Sequence, residues 1–164
     1  MSTTTERYRT AGEAGDLTGV LATLAEDVVL HSPLTMRVRF EGKAEVRAVL
    51  TVALRELKGL RYRSDVGDER TRVLVHTATV GGQELEETAR VELNAEGLIS
   101  AITLSVRPLP GLTALMAAFA GPIARELGKP RWVVLALTLA SKPLALLTRV
   151  GDRQLVPLAT PDRG

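Results

Sequence analysis

The chain has no cysteine in its 164 residues, which excludes disulfides, zinc–thiolate centres and thiol nucleophiles. Aromatic residues are scarce, at 3 %, and Tyr8, Phe40, Tyr62, Phe119 and Trp132 are scattered among interspersed charges, so stacking on nucleobases, and with it a nucleic-acid partner, is not expected. His31 and His76 are the two histidines, too few and too far apart for a dedicated metal site; neither metal nor cofactor is expected. Long apolar runs are missing too. The block from Trp132 to Ala140 is nine residues, short of the ~20 that span a bilayer, and Lys142 and Pro143 are expected to interrupt any extension. The opening MSTTTERYRT carries no apolar segment, so a cytoplasmic location is expected.

What is present is an ordinary apolar fraction of 45 %, enough for one core in a chain of this length. The net charge of +2 is unevenly spread: residues 107–164 hold 8 basic and 3 acidic side chains, so the C-terminal part is the basic one.

The most informative stretch is TRVLVHTATVGGQELEETARVEL, residues 71–93. Gly81-Gly82 accepts positive φ at both central positions of a type I′ turn, the connection whose twist suits a hairpin. With those two as the loop, Val80 faces Gln83, Ala78 faces Leu85, His76 faces Glu87 and Leu74 faces Ala89. Side chains alternate faces along a strand, so His76 and Glu87 share a mainly apolar face with Leu74, Ala78, Leu85 and Ala89. Opposed Cβ atoms lie about 5 Å apart, close enough for a hydrogen-bonded acid/imidazole pair. Such a pair suits proton transfer and serves equally as a structural contact.

Around this hairpin the sequence predicts a helix over 6–14 stopped by Gly15, and a second helix capped by Asp16. A strand over 28–32 and a shorter one within 34–40 come next. The stripe Val46, Val49, Leu50, Ala53, Leu54, Leu57 marks a helix over 43–57 closed by Gly59. Leu60 to Val66 reads as a strand with Leu60, Tyr62, Ser64 and Val66 on one side. After the turn Asn94 to Gly97, residues 98–107 form the last strand, ended by Pro108. The fold class is therefore α+β, a curved antiparallel sheet wrapped around helices, with an extra helical tail whose two helices fall within 110–128 and 131–148. Those tail helices are expected to bury their apolar faces as a lid on the cone or in a homodimer; contact with an anionic membrane surface is the third and weakest reading.

The segments AGEAGDLTGVLATLAEDVVLHSPL, FEGKAEVRAVL and GLISAITLSVRPL resemble the nuclear transport factor 2-like superfamily, in particular its SnoaL-like branch, over roughly residues 6–109. The resemblance implies a cone domain over 6–109, leaving 110–150 as a helical extension and 151–164 as a flexible tail. It also implies a pocket for a small apolar molecule and either a polyketide cyclase or isomerase activity or a non-catalytic binding or assembly role. In the cyclase branch a histidine and an acid on neighbouring strands line the pocket, as His76 and Glu87 would here as catalytic residues, although that acid is usually an aspartate. Ligand-binding candidates are His31, which alternates with Val29, Tyr62, if it turns inward, and Arg107 at the end of the last strand. The Asp-Arg-Asp constellation of the epoxide hydrolase branch has no evident match.

Overall fold

The computed structural model describes residues 3–159. Helices α1 (Thr4–Ala14) and α2 (Leu17–Leu21) open the chain, followed by β1 (Leu24–His31), β2 (Arg39–Glu41) and α3 (Gly42–Glu56). Strands β3 (Lys58–Gly67), β4 (Thr71–Val80), β5 (Gln83–Leu93) and β6 (Ile99–Arg107) come next, then α4 (Leu109–Glu126), α5 (Arg131–Gln154) and a 3₁₀ turn, Val156–Ala159. The opening follows its capping chemistry. Thr3 and Glu6 form a capping box on α1, Gly15 ends it in the left-handed region, and the Asp16 side chain accepts from the Gly19 amide to cap α2.

One six-stranded sheet runs in the order β2-β1-β6-β5-β4-β3. Strands β3 to β6 form the expected antiparallel meander, whereas β1 joins β6 in parallel. In the β4–β5 hairpin Gly81 and Gly82 have φ of 55° and 74°, and the register is the expected one: Val80 with Gln83, Ala78 with Leu85, His76 with Glu87, Leu74 with Ala89. Every second residue from Leu74 to Val80 and from Leu85 to Val91 is buried, so this face meets the core.

Two expectations fail in the strands and their approaches. Helix α3 ends on Leu57 in an extended conformation, and Gly59 lies within β3 instead of capping the helix. In β3 the register slips between Tyr62 and Ser64, so Tyr62 pairs with His76 but Asp65 pairs with Leu74. That bulge puts Asp65, rather than Ser64 and Val66, on the inward side after Tyr62, and leaves Val66 exposed. The inward carboxylate is answered by Arg72 at 2.5 Å and Arg9 at 3.3 Å.

The core has two parts. One joins Val20, Leu24, Val28 and Leu30 to α3 and to Leu74, Ala89, Val91 and Ile102 of the sheet; the other is closed by Ala114, Leu115 and Phe119 of α4 against Val52, Ala78, Val80 and Leu85. Helix α4 thus buries its apolar face against the cone as expected. Helix α5 leaves most of its apolar face uncovered within the single chain: Ser141 is its one buried residue among those described. Pro143 also fails to end it, because the carbonyl that a proline leaves unpaired, four residues back, belongs to Leu139 on the exposed side. The uninterrupted helix is, among the described residues, the one long and apolar enough to cross a membrane by length and composition. It completes residues 151–154, inside the segment expected to be a flexible tail, of which 160–164 lie outside the described residues.

Candidate functional site

The hairpin carries His76 and Glu87 into the cone side by side, with His76 Nε2 and Glu87 Oε1 3.8 Å apart and both side chains buried. The separation is too long for a hydrogen bond, and neither ring nitrogen of His76 has a partner among the described residues. Burial acts on the two in opposite senses. It pushes the Glu87 carboxyl up from 4.5 to about 7 and the His76 imidazole down from 6.5 to about 4, because in each case the charged form loses its water. The contact is therefore not an ion pair at any pH. Neutral acid stands beside neutral imidazole between about pH 4 and 7, neutral acid beside imidazolium below that window, and carboxylate beside neutral imidazole above it.

Tyr62 turns inward, as expected, and its ring lies 5.2 Å from that of His76 at 58°. On the free edge of β3, the Tyr62 amide donates to Glu13 Oε1 at 2.7 Å and so ties β3 to α1. On α1, Tyr8 meets the Tyr62 ring edge-on at 6.4 Å and 69°. Burial, the neighbouring phenol and the Glu87 carboxyl all raise the Tyr62 pKa well above 10, and burial followed by the Glu87 charge raises that of Tyr8. Both phenols therefore remain protonated donors at neutral pH. Sequence reasoning missed Tyr8 as a site residue. The available signal was its place on one face of α1 with Thr5, Ala11 and Gly12, the buried side of the helix.

These groups line a narrow inner cavity of about 60 Å³, closed by Leu50, Leu54 and Ile102. Beyond it opens a larger, mostly apolar cavity of about 370 Å³, walled by the segment after β1 (Ser32 to Val38) and by Phe119, Ile123, Val133 and Leu137 of α4 and α5. Leu30, Val49, Leu104, Phe119 and Glu87 border both. Glu87 is thus the carboxyl at the waist of the cone, facing the inner donors on one side and apolar walls on the other.

The structure does not bring His31 and Arg107 to this place. Leu30 points inward and His31, one residue on, is exposed on the outer side with Val29. Arg107 pairs with Glu86 at 2.6 Å, on the face of β5 opposite Glu87. It borders a wider, more polar hollow of about 650 Å³ with Arg63, Thr77 and Glu84. Although larger, that hollow is half polar and its Arg107 is already neutralised by Glu86, so the apolar cone is the stronger candidate.

The family profile of the SnoaL-like domain matches residues 5–102, the helical opening and nearly the whole sheet. Among solved structures, an uncharacterized bacterial protein with a cystatin-like fold from Silicibacter pomeroyi is similar at 28 % identity and TM-score 0.68, covering 73 % of this chain and 84 % of its own. A steroid delta-isomerase from Pseudomonas aeruginosa is similar at 27 % identity and TM-score 0.66, covering 76 % of this chain and 89 % of its own. A putative polyketide cyclase from Sinorhizobium meliloti shares the fold at 14 % identity and TM-score 0.55, over 64 % of this chain and 95 % of its own. No curated protein matches the chain in sequence. With the profile spanning well over half of its length, the chain belongs to the SnoaL-like domain family, within the nuclear transport factor 2-like fold that steroid isomerases and polyketide cyclases share.

Proposed function

We propose that the cone binds a small apolar carbonyl compound and that Glu87 moves a proton on it, isomerising or cyclising the compound through an enolate. The observation that carries this reading is a buried carboxyl, titrating near 7, at the junction of an apolar cavity and a cluster of protonated donors. An acid/base group works best when its pKa lies near the working pH, and burial alone brings Glu87 there.

In the isomerisation of a β,γ-unsaturated ketone, the Glu87 carboxylate takes the proton from the carbon between the carbonyl and the alkene. The electron pair of that C–H bond moves into a dienolate, and the charge gathers on the carbonyl oxygen. Tyr62 or Tyr8 donates a hydrogen bond to that oxygen, both phenols being held protonated. Glu87 then returns its proton to the γ carbon, giving the conjugated enone and restoring the carboxylate. The 370 Å³ of the outer cavity lies within the range of small-molecule sites, and its apolar walls favour a lipophilic skeleton.

The test uses a β,γ-unsaturated 3-ketosteroid as probe, following the absorbance of the conjugated product, since a similar fold belongs to a steroid delta-isomerase. Turnover by the natural chain and a 10²- to 10⁴-fold loss in Glu87→Gln, with little change in affinity, are expected. Binding without turnover would make the cone a binding module. Turnover of Glu87→Gln at the natural rate would remove Glu87 from the chemistry.

A further inference from the structure

Helix α5 is built inside out. The side turned to α4 carries Thr138, Ser141 and Thr148, with Thr148 hydrogen-bonded to Thr113 of α4 at 2.6 Å and the Ser141 and Thr138 hydroxyls donating to carbonyls of their own helix. The close approach there needs Gly121 of α4, since a Cβ at that position would collide with the Thr138 hydroxyl. The large side chains point away: Leu135, Leu139, Leu146 and Leu147 are exposed, and Trp132 is 73 % exposed.

The cations of α5 are ordered as well. At about 100° per residue, Arg131, Lys142, Arg149 and Arg153 fall within about 40° of one another, in a single row along the helix. This row borders the exposed apolar arc on one side; Val133 and Leu137, which line the mouth of the 370 Å³ cavity, border it on the other. Among the described residues no carboxylate pairs with any of the four, and the one acid of α5, Asp152, lies on the α4 side of the helix.

We propose that this face of α5 docks on an anionic lipid bilayer, the helix lying in the plane of the interface with its leucines and Trp132 among the acyl chains and the cation row at the headgroups. An apolar arc edged by Lys and Arg is what an interfacial helix presents. A row that runs the whole length, with Lys142 near the middle, fits a helix lying flat and not one that spans, whose cations collect at its ends. The α5 arc of a second copy holds no acidic side chain to answer these cations, whereas phosphate headgroups answer all four. The docked face also brings the cavity mouth beside the acyl region, which gives a lipophilic compound a short path out of the bilayer; the docking itself is independent of any chemistry at Glu87.

Trp132, the sole tryptophan, is the reporter. The full chain is titrated with vesicles of phosphatidylcholine alone and of phosphatidylcholine mixed with phosphatidylglycerol, following Trp132 emission and co-sedimentation. A blue shift and sedimentation with the anionic vesicles are expected, both weakened by salt. Each cation at an anionic surface is worth roughly fivefold in partition, so Lys142→Ala with Arg149→Ala should lower binding roughly thirtyfold with unchanged circular dichroism. Leu139→Ser with Leu146→Ser, which leaves the charges in place, should also abolish the blue shift. The proposal is overturned if the natural chain ignores anionic vesicles or binds both kinds equally. It is overturned too if the cation variant binds unchanged, or if the Trp132 shift follows protein concentration without vesicles, which would seat a second copy on the face.

Discussion

Replacing Glu87 by glutamine removes the titrating carboxyl and keeps the shape of the pair, which turns the opposed burial shifts of Glu87 and His76 into a measurable pH signature. Glu87 is raised from 4.5 to about 7, so its folded state holds the proton more tightly than the unfolded chain does. The associated stability is full below 4.5 and is lost as pH rises to about 7. His76 is lowered from 6.5 to about 4, so its contribution is full above 6.5 and is lost as pH falls to about 4. At 1.36 kcal/mol per pH unit, each span of about two and a half units amounts to about 3 kcal/mol. Between 4.5 and 6.5 the two slopes oppose each other and nearly cancel, which leaves no sign of either group in the natural chain.

Urea unfolding across pH 4 to 8 separates them, since subtracting the natural chain removes the other titrations. The stability of Glu87→Gln relative to the natural chain should be constant below about 4.5 and rise by about 3 kcal/mol up to about pH 7. His76→Gln should show the mirror behaviour, gaining as pH falls from 6.5 towards 4. If the two formed a buried ion pair, the Glu87 carboxyl would be lowered instead, and Glu87→Gln would lose ground as pH rises. A relative stability that falls or stays level from 4.5 to 7 therefore refutes the reasoning.

Two further predictions concern packing and the outer face. Leu74→Ala empties a fully buried position between α3 and the hairpin and should cost about 2–5 kcal/mol in urea unfolding, while Gly121→Val should cost about 1–3 kcal/mol by forcing α4 from α5 at Thr138. His31→Ala and Arg107→Ala should leave ketosteroid affinity and turnover unchanged, because both side chains stand outside the cone; a loss in either would show that the site reaches the outer face.

The hairpin was legible in full because the glycine pair fixes its register, and register fixes which side chains meet. The inward turn of Tyr62 followed from the same alternation, but the bulge behind it did not, since no glycine or proline in Arg63-Ser64-Asp65 marks it. His31 was unreadable for a different reason. Valines and leucine occupy both alternating sets of β1, so the pattern shows two faces without saying which is inner. The spacing of Thr5, Tyr8, Ala11 and Gly12 marks the buried face of α1, but that this face packs on β3 and so brings Tyr8 into the site is a long-range contact that spacing does not report. Helix α5 runs to Gln154, past the expected limit at 148 and through Pro143 that was expected to interrupt its apolar run, and its outward leucines defeat the rule that an apolar stripe faces the core.

The central claim is that an apolar cone holds Glu87 as a near-neutral acid/base group in contact with its ligand. The most direct measurement is a carboxyl ¹³C NMR titration, with the Glu87 resonance assigned through Glu87→Gln, in the absence and presence of a saturated ketosteroid. A midpoint near 7, displaced when the ketone binds, is the predicted result. A midpoint near 4.5, or one that the bound ketone leaves unmoved, would contradict it.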